Sequence, residues 1–80
     1  MIFLIHYDRS VGKLVSIESY EDRDRVLASD AKMKLEISLL GTNGANEVVL
    51  FEAESQDDLK RTHSRYFKTL QQLKASDRGA

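Results

Sequence analysis

The chain has 80 residues, with 12 Lys or Arg against 13 Asp or Glu, no Cys and no Pro. A chain of this length forms one domain and buries only about 60–65% of its unfolded surface. Without Cys it has no disulfide, no thiolate nucleophile and no thiolate metal site. Its stability must therefore come from packing or from a partner subunit.

We expect neither a signal peptide nor a membrane span. The apolar runs at residues 2–5 and 48–51 are far shorter than the roughly 18–20 residues that cross a bilayer. No basic leader precedes the first run, and no small-residue cleavage site follows it. The sequence is therefore expected to be cytoplasmic and to have no membrane association.

The first hairpin is predicted from two strands and a polar turn. Residues 2–7 are apolar on both faces except at His6, which is typical of a central strand. Residues 8–12 form a turn in which Gly12 is free to take a positive φ. Residues 13–19 alternate, with Val15 and Ile17 on one face and Leu14 on the other.

A helix is predicted to follow the hairpin. Ser19 has the position of an N-cap, with an acidic residue three positions later, and Gly41 would lie just past the helix end. As a helix, the segment has two adjoining apolar faces, one with Val26, Met33, Ile37 and Leu40, the other with Leu27, Ala31, Leu35 and Leu39. Residues 33–39 also alternate with a strand period, so a short helix followed by a strand is the alternative.

The last part of the chain is predicted to be a strand and a second helix. Residues 47–53 are the strand, and Ser55 is the N-cap of the helix. Apolar and aromatic residues recur along this helix at helical spacing: Leu59, Thr62, His63, Tyr66, Phe67, Leu70 and Leu73. We expect one domain over residues 1–74 and a flexible tail over residues 75–80.

These elements predict an α+β fold with the order ββαβα. The first strand would lie in the middle of a three-stranded sheet of order 2-1-3, antiparallel to both neighbours. Both helices would cover one side of the sheet, as in a two-layer sandwich. The alternative order is ββαββα, with residues 32–40 as a fourth strand.

A homodimer follows from this arrangement. With both helices on one side, the second face of the sheet and the apolar third strand would be left exposed. Each large side chain left in water forgoes about 1.5–3 kcal/mol, which is a large share of the stability of a small domain. We therefore expect a second copy to cover that face or to pair with the third strand.

Two histidines and a tyrosine are candidates for a buried polar site. His63 and Tyr66 lie on the apolar stripe of the last helix, and His6 lies on the central strand. The two histidines would be close if the last helix covers the face that carries His6. We expect them to be structural, and we predict no catalytic residue, no cofactor and no metal, because no nucleophile–base pair or ligand spacing is present.

Basic residues are concentrated near the end of the chain. Residues 59–80 carry six Lys or Arg and one acidic residue, whereas residues 1–58 carry six basic and twelve acidic residues. On the last helix, the polar face would present Lys60, Arg61, Arg65 and Lys68 as a possible binding surface. Exposed aromatic residues for base stacking are absent from this face, and the pI near 6.1 is low for a nucleic-acid-binding domain.

The sequence thus favours a small binding or protein-interaction module that forms a homodimer. We do not expect an enzyme. The alternative is a nucleic-acid-associated protein that uses the basic face of the last helix. No motif identifies a ligand or a reaction.

Overall fold

A computed structural model describes residues 1–42 and 44–67 of the chain. It has three strands, β1 (Ile2–Asp8), β2 (Lys13–Tyr20) and β3 (Asn46–Glu52), and two helices, α1 (Arg25–Ser38) and α2 (Gln56–Thr62). Short 3-10 turns, Asp22–Asp24 and Ser64–Phe67, precede α1 and follow α2. The predicted domain boundary at residue 74 and the tail after it lie outside the described residues.

The sheet has the predicted order, β2-β1-β3, and β1 is antiparallel to both neighbours. This confirms the predicted α+β class and the ββαβα order within the described residues. The predicted alternative, a fourth strand over residues 32–40, does not form, because residues 32–38 continue α1. Apolar alternation over residues 33–39 is therefore compatible with a helix whose apolar surface is broad.

The central strand is buried on both faces, as its unbroken apolar run requires. Ile2, Phe3, Leu4 and Ile5 are each at most 4% exposed. Side chains of odd number on β1 point to one face and those of even number point to the other. Both faces of β1 therefore have a cover.

The two helices provide this cover from opposite sides, which differs from the prediction that both lie on one side. On the odd face, Phe3, Ile5 and Tyr7 form one core with Leu59 of α2 and with Tyr66. On the even face, α1 packs against β1 and β3, Ala28 is fully buried, and Arg25 bonds to Glu52 on β3. The physical reason is that β1 is apolar on both faces, and each helix removes one face from water.

Consequently, no second copy is needed to cover the face of the sheet that lies opposite α2. This face is the even one, and α1 of the same chain already covers it. The apolar run on β3 is also partly shielded, since Val48 and Leu50 lie on the side of α1 while Val49 and Phe51 contact the odd-face core. Any case for a dimer must rest on another surface.

Two local features of β2 also differ from the sequence prediction. Ser19 pairs with Phe3 as a residue of β2, so it does not cap α1. A β-bulge opposite the His6–Tyr7 step leaves Val15 exposed and places Leu14 with Ile17 on the odd face. Such a bulge inserts one residue into the strand and so reverses the alternation beyond it.

The predicted N-cap of the second helix is confirmed, but the helix is short. The Asp58 backbone amide donates to Ser55 Oγ over 3.1 Å. The α-helix ends at Thr62 because His63 takes a non-helical conformation, with φ −127° and ψ 48°. Its break lets the 3-10 turn carry Tyr66 back onto the sheet, while Leu70 and Leu73 lie outside the described residues.

Candidate interaction surface

Of the three residues of the predicted buried polar site, His63 and Tyr66 lie on the same face of the sheet, whereas His6 lies on the other. His6 lies on the even face of β1, where its Nε2 donates to Asn46 Oδ1 over 2.9 Å. His63 lies across the sheet, stacked on Phe51 with ring centres 4.0 Å apart and planes at 14°. The sheet therefore separates the two histidines, because α2 packs on the face opposite His6.

Tyr66 joins His63 in an aromatic cluster on the odd face. Its ring meets Tyr7 edge-on at 5.3 Å and Phe51 at 5.4 Å. Edge-to-face contacts of this kind stabilise a core beyond the area that they bury. The rings of His63 and Tyr66 therefore both pack against aromatic rings of the sheet, which explains their position among the apolar residues of the predicted last helix.

A carboxylate at the margin of this cluster holds the 3-10 turn to the sheet. Glu47 on β3 accepts a hydrogen bond from the Tyr66 hydroxyl, and Arg65 Nη2 donates to both of its oxygens over 3.1 and 3.2 Å. The hydroxyl of Tyr66 holds the pKa of Glu47 below its usual range, with help from the charge of Arg65. Burial, and then the bond to Glu47, raises the pKa of Tyr66.

This network has the character of a structural tie and not of a reactive centre. The Glu47 side chain is only 19% exposed, and its oxygens are already taken by a phenol and a guanidinium. A general base needs a free lone pair directed at a substrate proton. Among the residues that the structure describes, no group of three or more His, Cys, Asp or Glu could hold a metal ion.

The basic residues predicted to form a binding surface are partly engaged within the chain. Arg61 bonds to Asp58 at 2.5 Å, and Arg65 is held by Glu47. The ammonium group of Lys60 lies 5.7 Å from the ring centre of Phe67. Lys68 lies outside the described residues, so three of the four predicted residues can be placed.

The most unusual surface of the described chain is the outer side of α1. Four large apolar side chains are mostly in water there: Val26 is 84% exposed, Met33 53%, Ile37 59% and Leu40 76%. The first three recur at intervals of seven and four residues, which places them on one side of an α-helix. Leu40 continues the line just beyond the helix end.

This stripe lies opposite the side of α1 that packs on the sheet. The inner side is formed by the fully buried Ala28 and the half-buried Ala31, Leu35 and Leu39. At 3.6 residues per turn, Met33 and Ile37 lie about 160° around the helix from Leu35. The helix is therefore apolar on two opposite sides, and within residues 1–42 and 44–67 only one of them packs against the rest of the chain. We name the set Val26, Met33, Ile37 and Leu40 the outer stripe.

A shallow depression adjoins the end of the outer stripe. It has a volume of about 280 Å³ and lies between the end of α1 and β3, lined by Glu36, Leu39, Leu40, Thr42, Gly44, Asn46 and Val48. Its described lining offers one carboxylate, one hydroxyl and one amide. The amide is already bonded, since Asn46 accepts from His6 and donates to Thr42. The charged group in this described lining is the Glu36 carboxylate, and it already pairs with Lys32 over 3.0 Å.

The sequence predicts that the residues of the outer stripe share one face of a helix, but it does not show whether that face is buried or exposed. Helical spacing groups Val26, Met33, Ile37 and Leu40 on one face, and Leu27, Ala31, Leu35 and Leu39 on the next. By size alone, either face could be the buried one. The structure decides the matter: Ala28 is fully buried and Leu35 and Leu39 are half-buried, although Leu27 of the same predicted face is 57% exposed.

Neither described helix is long and apolar enough to cross a membrane. Comparison of the chain with protein-family models, with curated proteins and with solved structures finds no match in any of the three.

Proposed function

We propose that this protein is a small protein-interaction module without catalytic activity, and that the outer stripe of α1 is its contact surface. The supporting observation is the stripe itself. A single exposed apolar residue is ordinary on a protein surface, but several large ones aligned on one side of a helix are typical of an interaction site. This line lies on a regular helix, which can present it to a partner as a rigid surface.

The two sides of α1 differ in how much free energy the fold gains by burying them. Burying a large apolar side chain contributes about 1.5–3 kcal/mol. The fold gains little of this from the outer stripe, since its members are between 53% and 84% exposed. A partner that covers them gains it instead, without any change in the domain.

The proposed location of the module is the cytoplasm, where small domains work without the disulfides that are common in exported ones. A role in nucleic-acid binding is less well supported. Of the predicted basic residues, Arg61 and Arg65 already pair with carboxylates of the same chain. Phosphate contacts would have to compete with these pairs.

The test is a pair of charged substitutions on the outer stripe with a matched control elsewhere. Val26→Glu combined with Ile37→Glu places two carboxylates on the stripe, whereas Val15→Glu places one on the exposed bulge of β2, where Val15 is 54% exposed. All three positions are in water, so we expect the fold to survive, as circular dichroism and amide spectra can check.

The unchanged chain and the two variants are then immobilised separately, and each is used as bait for other proteins. Proteins that the unchanged chain and Val15→Glu retain are purified, and their binding is measured by titration. We expect the double variant to weaken that binding at least tenfold, because charge on the stripe must be desolvated on contact. Equal binding by all three proteins would contradict the proposal.

A further inference from the structure

The outer stripe is complementary to itself, and this identifies a partner. We propose that a second copy of this chain binds there, forming a two-fold symmetric dimer in which two α1 helices run antiparallel and cross at Met33. The inference rests on the proposed function, since it takes the outer stripe as the contact surface. It adds the identity of the partner and the geometry of the contact.

The spacing of the stripe fits a two-fold axis at its centre. Val26 and Leu40 each lie seven positions from Met33, so an antiparallel pair places Val26 against the partner's Leu40 at both ends. Met33 then meets its own symmetry mate. A flexible, unbranched thioether suits this position because it can adapt its shape to an identical neighbour.

The charges beside the stripe also fit a second copy. One flank carries Asp30 and Lys34, whose charged groups are 3.0 Å apart, and the other carries Lys32 and Glu36, also 3.0 Å apart. In an antiparallel pair each flank faces the same flank of the other helix. Asp30 then faces the partner's Lys34, and Glu36 faces the partner's Lys32, so every charge finds one of opposite sign.

The direction of the helices follows from their dipoles. Antiparallel helices place the positive end of each macrodipole beside the negative end of the other, whereas parallel helices place like ends together. A contact made by one helix stripe is small beside a standard protein interface of about 1,600 Å². We therefore expect a dimer whose population depends on concentration, and not a permanent one.

The absence of Cys from the sequence makes a direct geometric test possible. Met33→Cys introduces one thiol at the proposed axis, which a short bifunctional maleimide should join to its mate. Val26→Cys, treated alone, should not cross-link, because fourteen positions of an antiparallel helix pair separate it from its mate by about 21 Å. An equal mixture of Val26→Cys and Leu40→Cys should give the mixed cross-link.

Light scattering across protein concentration provides the second measurement. We expect the unchanged chain and Val15→Glu to dimerise alike, and the Val26→Glu, Ile37→Glu double variant to raise the dissociation constant at least tenfold. Efficient cross-linking of Val26→Cys to itself would overturn the antiparallel geometry. A monomer at every concentration would overturn the dimer.

These outcomes separate the inference from the function on which it rests. If the chain stays monomeric but binds a different protein through the stripe, only the identity of the partner is wrong. If a dimer forms and the double variant does not weaken it, the stripe is not its interface, and the antiparallel α1 dimer is wrong. Binding of other proteins that the double variant also leaves unchanged would then remove the proposed function as well.

Discussion

The two sides of the sheet are covered by helices that use their apolar residues in opposite ways. Behind the odd face, α2 and the following turn direct their large side chains inward: Leu59 is 0% exposed, and Tyr66 contacts both Tyr7 and Phe51. Behind the even face, the one fully buried side chain of α1 is a small one, that of Ala28. Leu35 and Leu39 on the same side are half-buried, whereas Met33 and Ile37 on the opposite side lie mostly in water.

The contrast shows which apolar residues serve the fold and which do not. On the odd face, the fold accounts for every large apolar group in the core cluster, and a polar tie from Glu47 to Tyr66 closes its margin. On the even face, packing on the sheet accounts for the inner side of α1, whereas the part of the chain that the structure describes leaves the outer stripe mostly in water. A helix that is apolar on two opposite sides is expected where it is covered from both.

The largest expected effect is a difference in the free energy of unfolding between two truncations, one behind the odd face of the sheet and one on the outer stripe. Leu59→Ala removes a fully buried side chain and leaves a cavity, so it should lower the free energy of unfolding by about 2–5 kcal/mol. Ile37→Ala removes a branched side chain that is 59% exposed and should change it by less than about 0.5 kcal/mol.

Urea unfolding of the two variants measures these values. The samples should be dilute, so that no association contributes to the apparent stability. A large loss of stability in Ile37→Ala at every dilution would mean that the outer stripe belongs to the core. The comparison between the two sides of the sheet would then be wrong.

A smaller effect is expected from enlarging the inner side of α1. Ala28 has no exposed surface, so Ala28→Leu must push the helix away from the sheet or displace its neighbours. Overpacking of this kind costs about 1–3 kcal/mol. Ser29→Leu, one position along the same helix and exposed, is the matched control, and in samples dilute enough to prevent association it should change the stability little.

Thermal unfolding of both variants provides the measurement. If Ala28→Leu is as stable as the unchanged chain, α1 has no close contact with β1 and β3 at this residue. The distinction between a close-packed inner side and a free outer side would then lose its basis.

Some features of the fold can be predicted from the sequence because they depend on the hydrophobicity or the hydrogen bonding of single residues. Burial of residues 2–5 on both faces follows from their unbroken apolar run, and Ser55 caps α2 as its spacing from Asp58 predicts. The strand order also follows, since the most apolar strand is the one with two neighbours. These features depend on hydrophobicity and local hydrogen bonding, which are written directly in the residue types.

The placement of the helices could not be predicted in the same way. It depends on which apolar side of α1 packs against the sheet, and in the structure this is the side that carries the fully buried Ala28. Similarly, the bulge at Val15 reverses the alternation of β2, and the break at His63 ends α2 early. In each case the backbone conformation depends on tertiary packing. The candidate site is the side of α1 that does not pack on the sheet, so it could be identified only after the fold was known.

The smallest effect concerns the polar tie that closes the odd face. Hydrogen bonding from Tyr66 lowers the pKa of Glu47 in the folded chain, so folding favours the ionised carboxylate. Its contribution is complete above the ordinary pKa of glutamate, near 4.5. It is lost as the pH falls through the lower value of the folded state. Since the side chain is partly in solvent, we expect about 1 kcal/mol at pH 7.

Glu47→Gln tests this contribution, with Glu54→Gln at an exposed position as its control. The difference in unfolding free energy between the unchanged chain and Glu47→Gln should be constant between pH 6 and 7 and shrink as the pH falls below about 4.5. Glu54→Gln should differ little from the unchanged chain at pH 7, as surface substitutions usually do. A difference for Glu47→Gln that grows on acidification would have the opposite sign to this expectation. The Tyr66 hydroxyl would then favour the protonated acid, and the tie would be a neutral hydrogen bond.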